Sequence, residues 1–203
     1  MLLREDRLIF VHIQKTGGTS INRALGSVDN PIEKHRTAAE LRLMYGESAW
    51  AESYKFSFVR NPWDRLVSWW SMIDGNRAHI DLATTPNRFF KYVLQNACSF
   101  EEFICNCHDE IADGDGVKGI FRNQIDYLTD SEGNLMVDFV GRFENLAEDF
   151  ATVSQHVYGQ TKPLPHSNKS QHGMYQSYYS QHTRTIVEEA YRADILNFGY
   201  QFE

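Results

Sequence analysis

The sequence lacks any apolar run of the roughly 18 residues that a membrane-spanning helix needs, although 42% of its 203 residues are hydrophobic. Its first seven residues, MLLREDR, also lack the apolar core of a secretory signal. On these grounds we expect a cytoplasmic protein without a membrane span. The hydrophobic content is enough to bury the core of a single domain, which we expect to cover residues 1–203.

Cysteine is also scarce. The three cysteines are an odd number, which fits reduced thiols better than a disulfide framework. Two of them, Cys105 and Cys107, lie in a Cys-Asn-Cys-His segment that resembles a fragment of a metal site. Their spacing on a predicted helix makes the two side chains diverge, and no second ligand pair follows. We therefore expect no metal site, and the roles of these two cysteines and of Cys98 stay open.

An excess of positive charge is absent as well, because 20 Lys and Arg residues face 27 Asp and Glu residues for a net charge of -7. Nucleic-acid binding depends on a basic patch that neutralises many phosphates, so we expect no nucleic-acid partner. Any anionic ligand must instead meet positive charge concentrated at one site. The sequence gives no indication of the oligomeric state.

Strand patterns and helical patterns alternate along the chain. This order predicts an α/β fold with a central, mostly parallel sheet that is flanked by helices on both faces. In such folds ligands bind beyond the carboxyl ends of the strands. The predicted strands cover 8–13, 55–60 and 137–143; the predicted helices cover 19–25, 37–45, a segment opening at Pro62, 86–96, 99–107, 145–158 and 180–193; an exposed loop is predicted over 111–119.

The first strand pattern runs into a turn that suits an anion. Gly17 and Gly18 carry no side chains, so backbone N–H groups can approach a bound anion closely, and Lys15 adds a full positive charge. The lysine precedes the glycines, whereas in a Walker loop it follows them. An ordinary strand-turn-helix connection is the alternative interpretation. Hydroxyl donors in the turn come from Thr16, Thr19 and Ser20.

A second segment, FSFVRNPWDRLVSWW, ends a predicted strand with Arg60 and places Ser68 two turns along the next helix. An arginine fork and a short hydroxyl donor can meet one phosphate. Arg65 points elsewhere on the same helix.

Together the two segments resemble sulfotransferases that use 3'-phosphoadenosine 5'-phosphosulfate (PAPS), particularly the carbohydrate type that includes the heparan sulfate 2-O and 6-O enzymes and small bacterial relatives. The resemblance implies a P-loop-like fold and the in-line transfer of a sulfuryl group to an acceptor hydroxyl. We expect that hydroxyl to belong to a saccharide or small metabolite. It implies that Lys15 with the glycine turn holds the 5'-phosphosulfate, and that Arg60 with Ser68 holds the 3'-phosphate. The donor chemistry carries over, whereas the acceptor does not follow.

The likeness extends to segments 140–146, 164–170 and 191–200. It assigns Asn168, Lys169 and Ser170 to a loop that closes over the donor. A capping turn before the last helix is the alternative for these three residues.

For catalysis, the resemblance makes Lys15 the group that neutralises the departing phosphate oxygen. We predict that His35 is the base that takes the acceptor proton, because imidazole titrates near neutral pH and KHRTAAEL resembles the family's base segment. His166 and Glu33 are rival bases, a capping role for a surface His35 stays open, and His12 is given a structural role within its strand.

Arg122 and Gln124 are the predicted residues on the acceptor side. No metal is required by these residues, and the expected partner is a hydroxyl-bearing acceptor. Two other functions stay open, namely a P-loop nucleotide-dependent kinase and a non-catalytic nucleotide-binding protein.

Overall fold

The computed structural model of the chain describes residues 1–3, 7–27, 30–113, 116–165 and 173–203. Within these residues the main sheet has the strand order β1-β2-β3-β6 and a separate hairpin pairs β4 with β5. The strands are β1 (Leu2–Leu3), β2 (Leu8–Val11), β3 (Tyr54–Val59), β4 (Ile111–Asp113), β5 (Gly116–Lys118) and β6 (Phe139–Arg142).

Helices account for most of the remaining secondary structure, and in the described part of the chain none of them is long and apolar enough to cross a membrane. They are α1 (Gly18–Ala24), α2 (Ala38–Tyr45), α3 (Glu47–Glu52), α4 (Pro62–Gly75), α5 (Arg88–Asn96), α6 (Phe100–Asn106), α7 (Leu146–Tyr158), α8 (Gln181–Ala190) and α9 (Arg192–Phe198).

The chain divides into two compact units. The first comprises Met1–Arg60 and Gln124–Lys169, and the second comprises Asn61–Asn123 and Ser170–Glu203. The main sheet, α1, α2, α3 and α7 belong to the first unit, and the other helices and the hairpin belong to the second. The single domain expected over 1–203 stays a prediction.

The three longer strands of the main sheet run parallel. β2 pairs with β3 so that Val11 lies beside Ser57, and β3 pairs with β6 so that Ser57 lies beside Val140. Every residue of β2 is buried, as expected for a parallel strand that is covered on both faces. The mixed α/β class and the mostly parallel sheet flanked by helices are therefore confirmed. Parallel pairing also brings the carboxyl ends of β2 and β3 to the same edge of the sheet.

Local sequence signals set several helix ends as predicted. Thr37 and Glu40 form a reciprocal capping box at the start of α2. Pro62 occupies the first turn of α4, where the side chain of Asn61 caps the helix. Gly159 ends α7 in the left-handed conformation, with φ of 67°.

Two predicted segments differ from the structure. The loop expected over 111–119 contains the β4–β5 hairpin, in which Lys118 and Asp113 form a largely buried ion pair at 3.2 Å. The glycines and aspartates of this segment indicate a loop, whereas the hairpin contains a buried ion pair that the local sequence does not reveal. The last helix is interrupted at Tyr191, which separates α8 from α9.

Candidate active site

The glycine turn follows β2 directly and has a backbone that side chains tolerate poorly. Gly17 has a φ of 86° and precedes α1. A Cβ at this position would also lie 2.8 Å from Cδ2 of Leu146 and 3.3 Å from the ring of Phe143. Lys15 has a φ of 68°, which is uncommon for a residue other than glycine. The turn therefore needs glycine at position 17 for both conformation and space.

Gly18 lies against the ring of His12. A Cβ at Gly18 would lie 1.9 Å from Nε2 of His12, so the imidazole occupies the space that any side chain at this position would need. The ring stacks on Phe10 at 5.3 Å between centroids and meets the ring of His35 edge-on at 4.8 Å. His12 thus connects the turn to the predicted base. The sequence predicts a structural role for His12 inside a strand, whereas β2 ends at Val11 and leaves His12 just beyond the carboxyl end of the strand.

Arg60 and Lys15 come together at this edge. Arg60 immediately follows β3, and its Nη1 donates a hydrogen bond to the carbonyl oxygen of Lys15 at 3.2 Å. Only 3% of Arg60 is exposed, and its guanidinium carbon lies 4.0 Å from the centroid of the Phe143 ring. Burial, reinforced by the positive charge of Arg60, lowers the pKa of Lys15 from 10.5 to about 8. Two cations in a poorly solvated place create a strong local potential that favours an anion.

Gln124 holds the backbone of Arg60. Its side chain is fully buried; Oε1 accepts a hydrogen bond from the Arg60 N–H at 2.9 Å, and Nε2 donates to the Arg60 carbonyl at 2.8 Å. Three residues later, the hydroxyl of Tyr127 donates to Oε1 of Gln14 at 2.8 Å. The sequence predicts Gln124 on the acceptor side, and that role stays a prediction; in the structure its amide contacts the backbone of Arg60. Neither contact carries a local sequence signal.

The hydroxyls of the turn lie in different surroundings. Thr16 is fully buried, and its Oγ1 donates to the carbonyl of Ile13 at 2.9 Å, so this hydroxyl proton is used within the turn. Ser20 is buried in α1, and Thr19 is half-buried in the first turn of the same helix.

The other predicted donor ligands stay predictions. Ser68 is buried in α4 of the second unit, whereas Arg60 belongs to the first, so their shared phosphate site stays a prediction. The loop residues Asn168, Lys169 and Ser170 and the rival base His166 lie outside the described residues.

Two arginines of the second unit meet through the main chain. Arg65 is fully buried. Its Nη1 donates hydrogen bonds to the carbonyl of Arg122 and to the hydroxyl of Tyr191, both at 3.1 Å. The predicted acceptor role of the Arg122 side chain stays a prediction.

His35 is oriented by the chain on either side of it. Its φ is 62°, its Nδ1 is buried, and 9% of the residue is exposed, which is less than expected of a surface histidine. The capping box of Thr37 and Glu40 begins two residues later. On the other side, Glu33 accepts hydrogen bonds from the hydroxyl of Tyr45 at 2.8 Å and from the amide of Asn30 at 3.0 Å. Through these hydrogen bonds Glu33, the rival base, anchors the segment that leads to His35.

The cysteines lie away from these residues in sequence and belong to the second unit. Cys98 is exposed, Cys105 is half-buried and Cys107 is buried, all as free thiols. Burial raises the pKa of the Cys107 thiol to about 12. In the described ranges, no group of three or more His, Cys, Asp or Glu side chains is arranged to hold a metal ion.

Comparison with known proteins identifies the family. Residues 1–201 match the profile of the family described as "Sulfotransferase family". The chain belongs to the sulfotransferase family. This sulfotransferase-family chain is 29% identical over 176 residues to human carbohydrate sulfotransferase 9, across 72% of its own length and 37% of that protein. It therefore spans little more than a third of that relative. Among solved structures, none matches it significantly.

The family assignment confirms the resemblance to carbohydrate-type sulfotransferases that the sequence motifs indicate. Within the segment 140–146, which shares in this resemblance, Phe143 and Leu146 pack against Gly17 of the glycine turn.

The packing of His12 on Gly18 predicts an energetic coupling between the two positions. Gly18→Ala should lower the free energy of unfolding by about 1–3 kcal/mol, because the methyl group and the imidazole compete for one space. In a His12→Ala background the same substitution should cost less than about 1 kcal/mol. Urea denaturation of the wild type, both single variants and the double variant measures the coupling. Strictly additive costs would contradict the contact.

The low pKa of Lys15 predicts that this lysine destabilises the folded chain at neutral pH. The folded state binds the Lys15 proton less tightly than the unfolded state does, so the cost is fully present below pH 8, falls as the pH rises from about 8 to 10.5, and vanishes above that range. Lys15→Met should therefore be more stable than the wild type at pH 7, by up to about 3 kcal/mol.

Denaturation curves between pH 7 and 10 measure this advantage, which should shrink steadily with rising pH. Lys34→Met, in the same unit, controls for the loss of one positive charge from a chain of net charge -7. A Lys15→Met advantage that does not change with pH would show that Lys15 ionises normally.

Proposed function

We propose that the protein is a PAPS-dependent sulfotransferase that transfers a sulfuryl group to a hydroxyl of a saccharide. The proposal is carried by one observation, the meeting of Lys15 and Arg60 at a glycine turn beyond the adjacent carboxyl ends of β2 and β3. Membership of the sulfotransferase family supports sulfuryl transfer. The likeness to a carbohydrate sulfotransferase supports a saccharide as the acceptor.

The residues of the turn fit a donor that carries a phosphosulfate. The absence of side chains at Gly17 and Gly18 lets the turn adopt its left-handed backbone and pack closely on Phe143, Leu146 and His12. Its backbone N–H groups are the donors that we propose for the anion. Lys15 and Arg60 supply two positive charges whose mutual repulsion an anion would relieve. When bound, PAPS supplies the sulfuryl group and leaves as 3'-phosphoadenosine 5'-phosphate (PAP).

Further donor contacts are proposed from the sequence. They involve the hydroxyls of Thr16, Thr19, Ser20 and Ser68 and the residues Asn168, Lys169 and Ser170. The P-loop-like character of the fold and the cytoplasmic location likewise stay predictions.

Lys15 and His35 are the residues that we propose for charge stabilisation and proton transfer. Lys15, with a pKa of about 8, is mostly protonated at neutral pH and holds a positive charge beside the departing phosphate oxygen. We assign the acceptor's hydroxyl proton to Nε2 of His35, because Nδ1 of that ring is buried. Contact with His12 orients the ring, and the anchoring of Glu33 fixes the segment from which the ring projects. Positioning and charge stabilisation thereby supply most of the catalysis, as in phosphoryl transfer.

Donor binding tests the proposal directly. Calorimetry with PAP in the absence of metal should give binding to the wild type, and Lys15→Ala and Arg60→Ala should each weaken it by about tenfold or more, since each removes a charge-assisted contact. Arg42→Ala is the matched control, because Arg42 lies in the same unit but pairs with Glu47 on the surface at 2.7 Å. Metal-dependent ATP binding in place of PAP binding would favour a kinase instead.

The proposed base is tested with isotopically labelled PAPS and a panel of saccharide acceptors. His35→Ala should keep PAP affinity within about twofold and lose about a hundredfold or more in turnover, because only the proton transfer is removed. The exposed His182 in α8 gives a control variant, His182→Ala, that should retain turnover. Near-normal turnover in His35→Ala would exclude His35 as the base. PAP binding without transfer to any acceptor would favour a non-catalytic nucleotide-binding protein.

A further inference from the structure

The short segment Gln124–Tyr127 contacts two other parts of the chain. One follows β2 and includes Lys15, and the other begins with Arg60 directly after β3. We propose that Gln124 and Tyr127 are positioning residues that hold Arg60 and Lys15 at the separation required for donor binding. This inference rests on the proposed function for its catalytic meaning, but the contacts that carry it are independent of that function.

The first set of contacts is made by the side-chain amide of Gln124. Its two hydrogen bonds to the N–H and carbonyl of Arg60, at 2.9 and 2.8 Å, reproduce the pair that a neighbouring strand would make. They begin where the β3–β6 ladder ends, because Val59 is paired with Arg142 and Arg60 is the next residue. Gln124 thus extends the ordered backbone of β3 by one residue. Fixing that backbone directs the guanidinium of Arg60 over the ring of Phe143.

The second set is made by the hydroxyl of Tyr127, which acts on the neighbouring strand end. It donates to Oε1 of Gln14, the residue directly before Lys15, and both side chains are buried. The contact lies one residue from the uncommon backbone conformation of Lys15. It therefore restrains the segment in which the turn starts.

A single turn of 3₁₀ helix joins the two residues. The N–H of Tyr127 donates to the carbonyl of Gln124 at 3.1 Å, so the two side chains project from one rigid turn. A restraint is useful here because the charge of Arg60 adds to the burial that disfavours protonated Lys15, so the two cations repel each other when no anion is bound. Gln124 and Tyr127 oppose their separation before any ligand binds, which is preorganisation of an anion site.

Three variants separate positioning from general stability. Gln124→Met keeps the length of the side chain and removes both hydrogen bonds to Arg60, and Tyr127→Phe removes only the hydroxyl. Thr129→Val is the matched control, because Thr129 Oγ1 donates to the Ile125 carbonyl at 3.1 Å and thus bonds within the segment rather than to the strand ends. Each variant is measured for PAP affinity by calorimetry, for thermal unfolding, and for the pKa of Lys15 by NMR with labelled lysine.

We expect Gln124→Met to weaken PAP binding by about tenfold or more and Tyr127→Phe by about threefold or more. In a transfer assay the KM for PAPS should rise with little change in kcat at saturating donor, because the reacting groups themselves are intact. The pKa of Lys15 should move from about 8 toward its ordinary value as Arg60 moves away. Thr129→Val should change neither the affinity nor the pKa, even where it lowers the unfolding temperature.

The outcomes distinguish this inference from the proposed function. If the wild type does not bind PAP, the proposed function fails, and the Lys15 pKa in the variants still decides the positioning role. If the wild type binds PAP and both variants bind it as tightly as Thr129→Val does, with the Lys15 pKa unmoved, the positioning role is overturned. Should Gln124→Met fail to fold, Tyr127→Phe alone carries the same comparison.

Discussion

The close approach of Lys15 and Arg60 is the constraint on which the rest of the first unit depends. Two cations that share a poorly solvated corner are unfavourable in the absence of an anion, and the lowered pKa of Lys15 expresses that cost. The parallel pairing of β2 with β3 makes the approach possible by ending both strands at one edge. The glycine turn, the ring of Phe143 and the segment Gln124–Tyr127 then hold it in place. Stability given up in this way is typical of sites that must be ready for a charged ligand.

A second constraint connects this charged corner to the proposed base. Because Gly18 has no side chain, the imidazole of His12 can lie against the backbone of the turn while its other edge meets His35. Phe10 supports the same ring from within the sheet. The glycine turn and the segment of the proposed base His35 therefore pack against the same ring, although they are separate motifs in the sequence.

Local chemistry explains which parts of this arrangement could be predicted. The strand-turn-helix at the N-terminal glycines, the capping box of Thr37 and Glu40, and the proline at the start of α4 depend on residues within a few positions of one another, and the structure contains all three. Gln124 pairs with Arg60 across 64 positions, and Tyr127 pairs with Gln14 across 113. No periodicity or motif encodes such pairs. The β4–β5 hairpin cannot be predicted from the sequence for a related reason, since its buried ion pair depends on tertiary burial and not on the apolar pattern.

The ring of Phe143 underlies both the glycine turn and the guanidinium of Arg60. One aromatic ring thus packs against both the turn that carries Lys15 and the guanidinium of Arg60. A change in the size or orientation of the ring would affect both. A substitution at Phe143 would therefore remove a support of the glycine turn and a support of the Arg60 guanidinium at once. The placement of the turn relative to Arg60 is thus a property of this one ring.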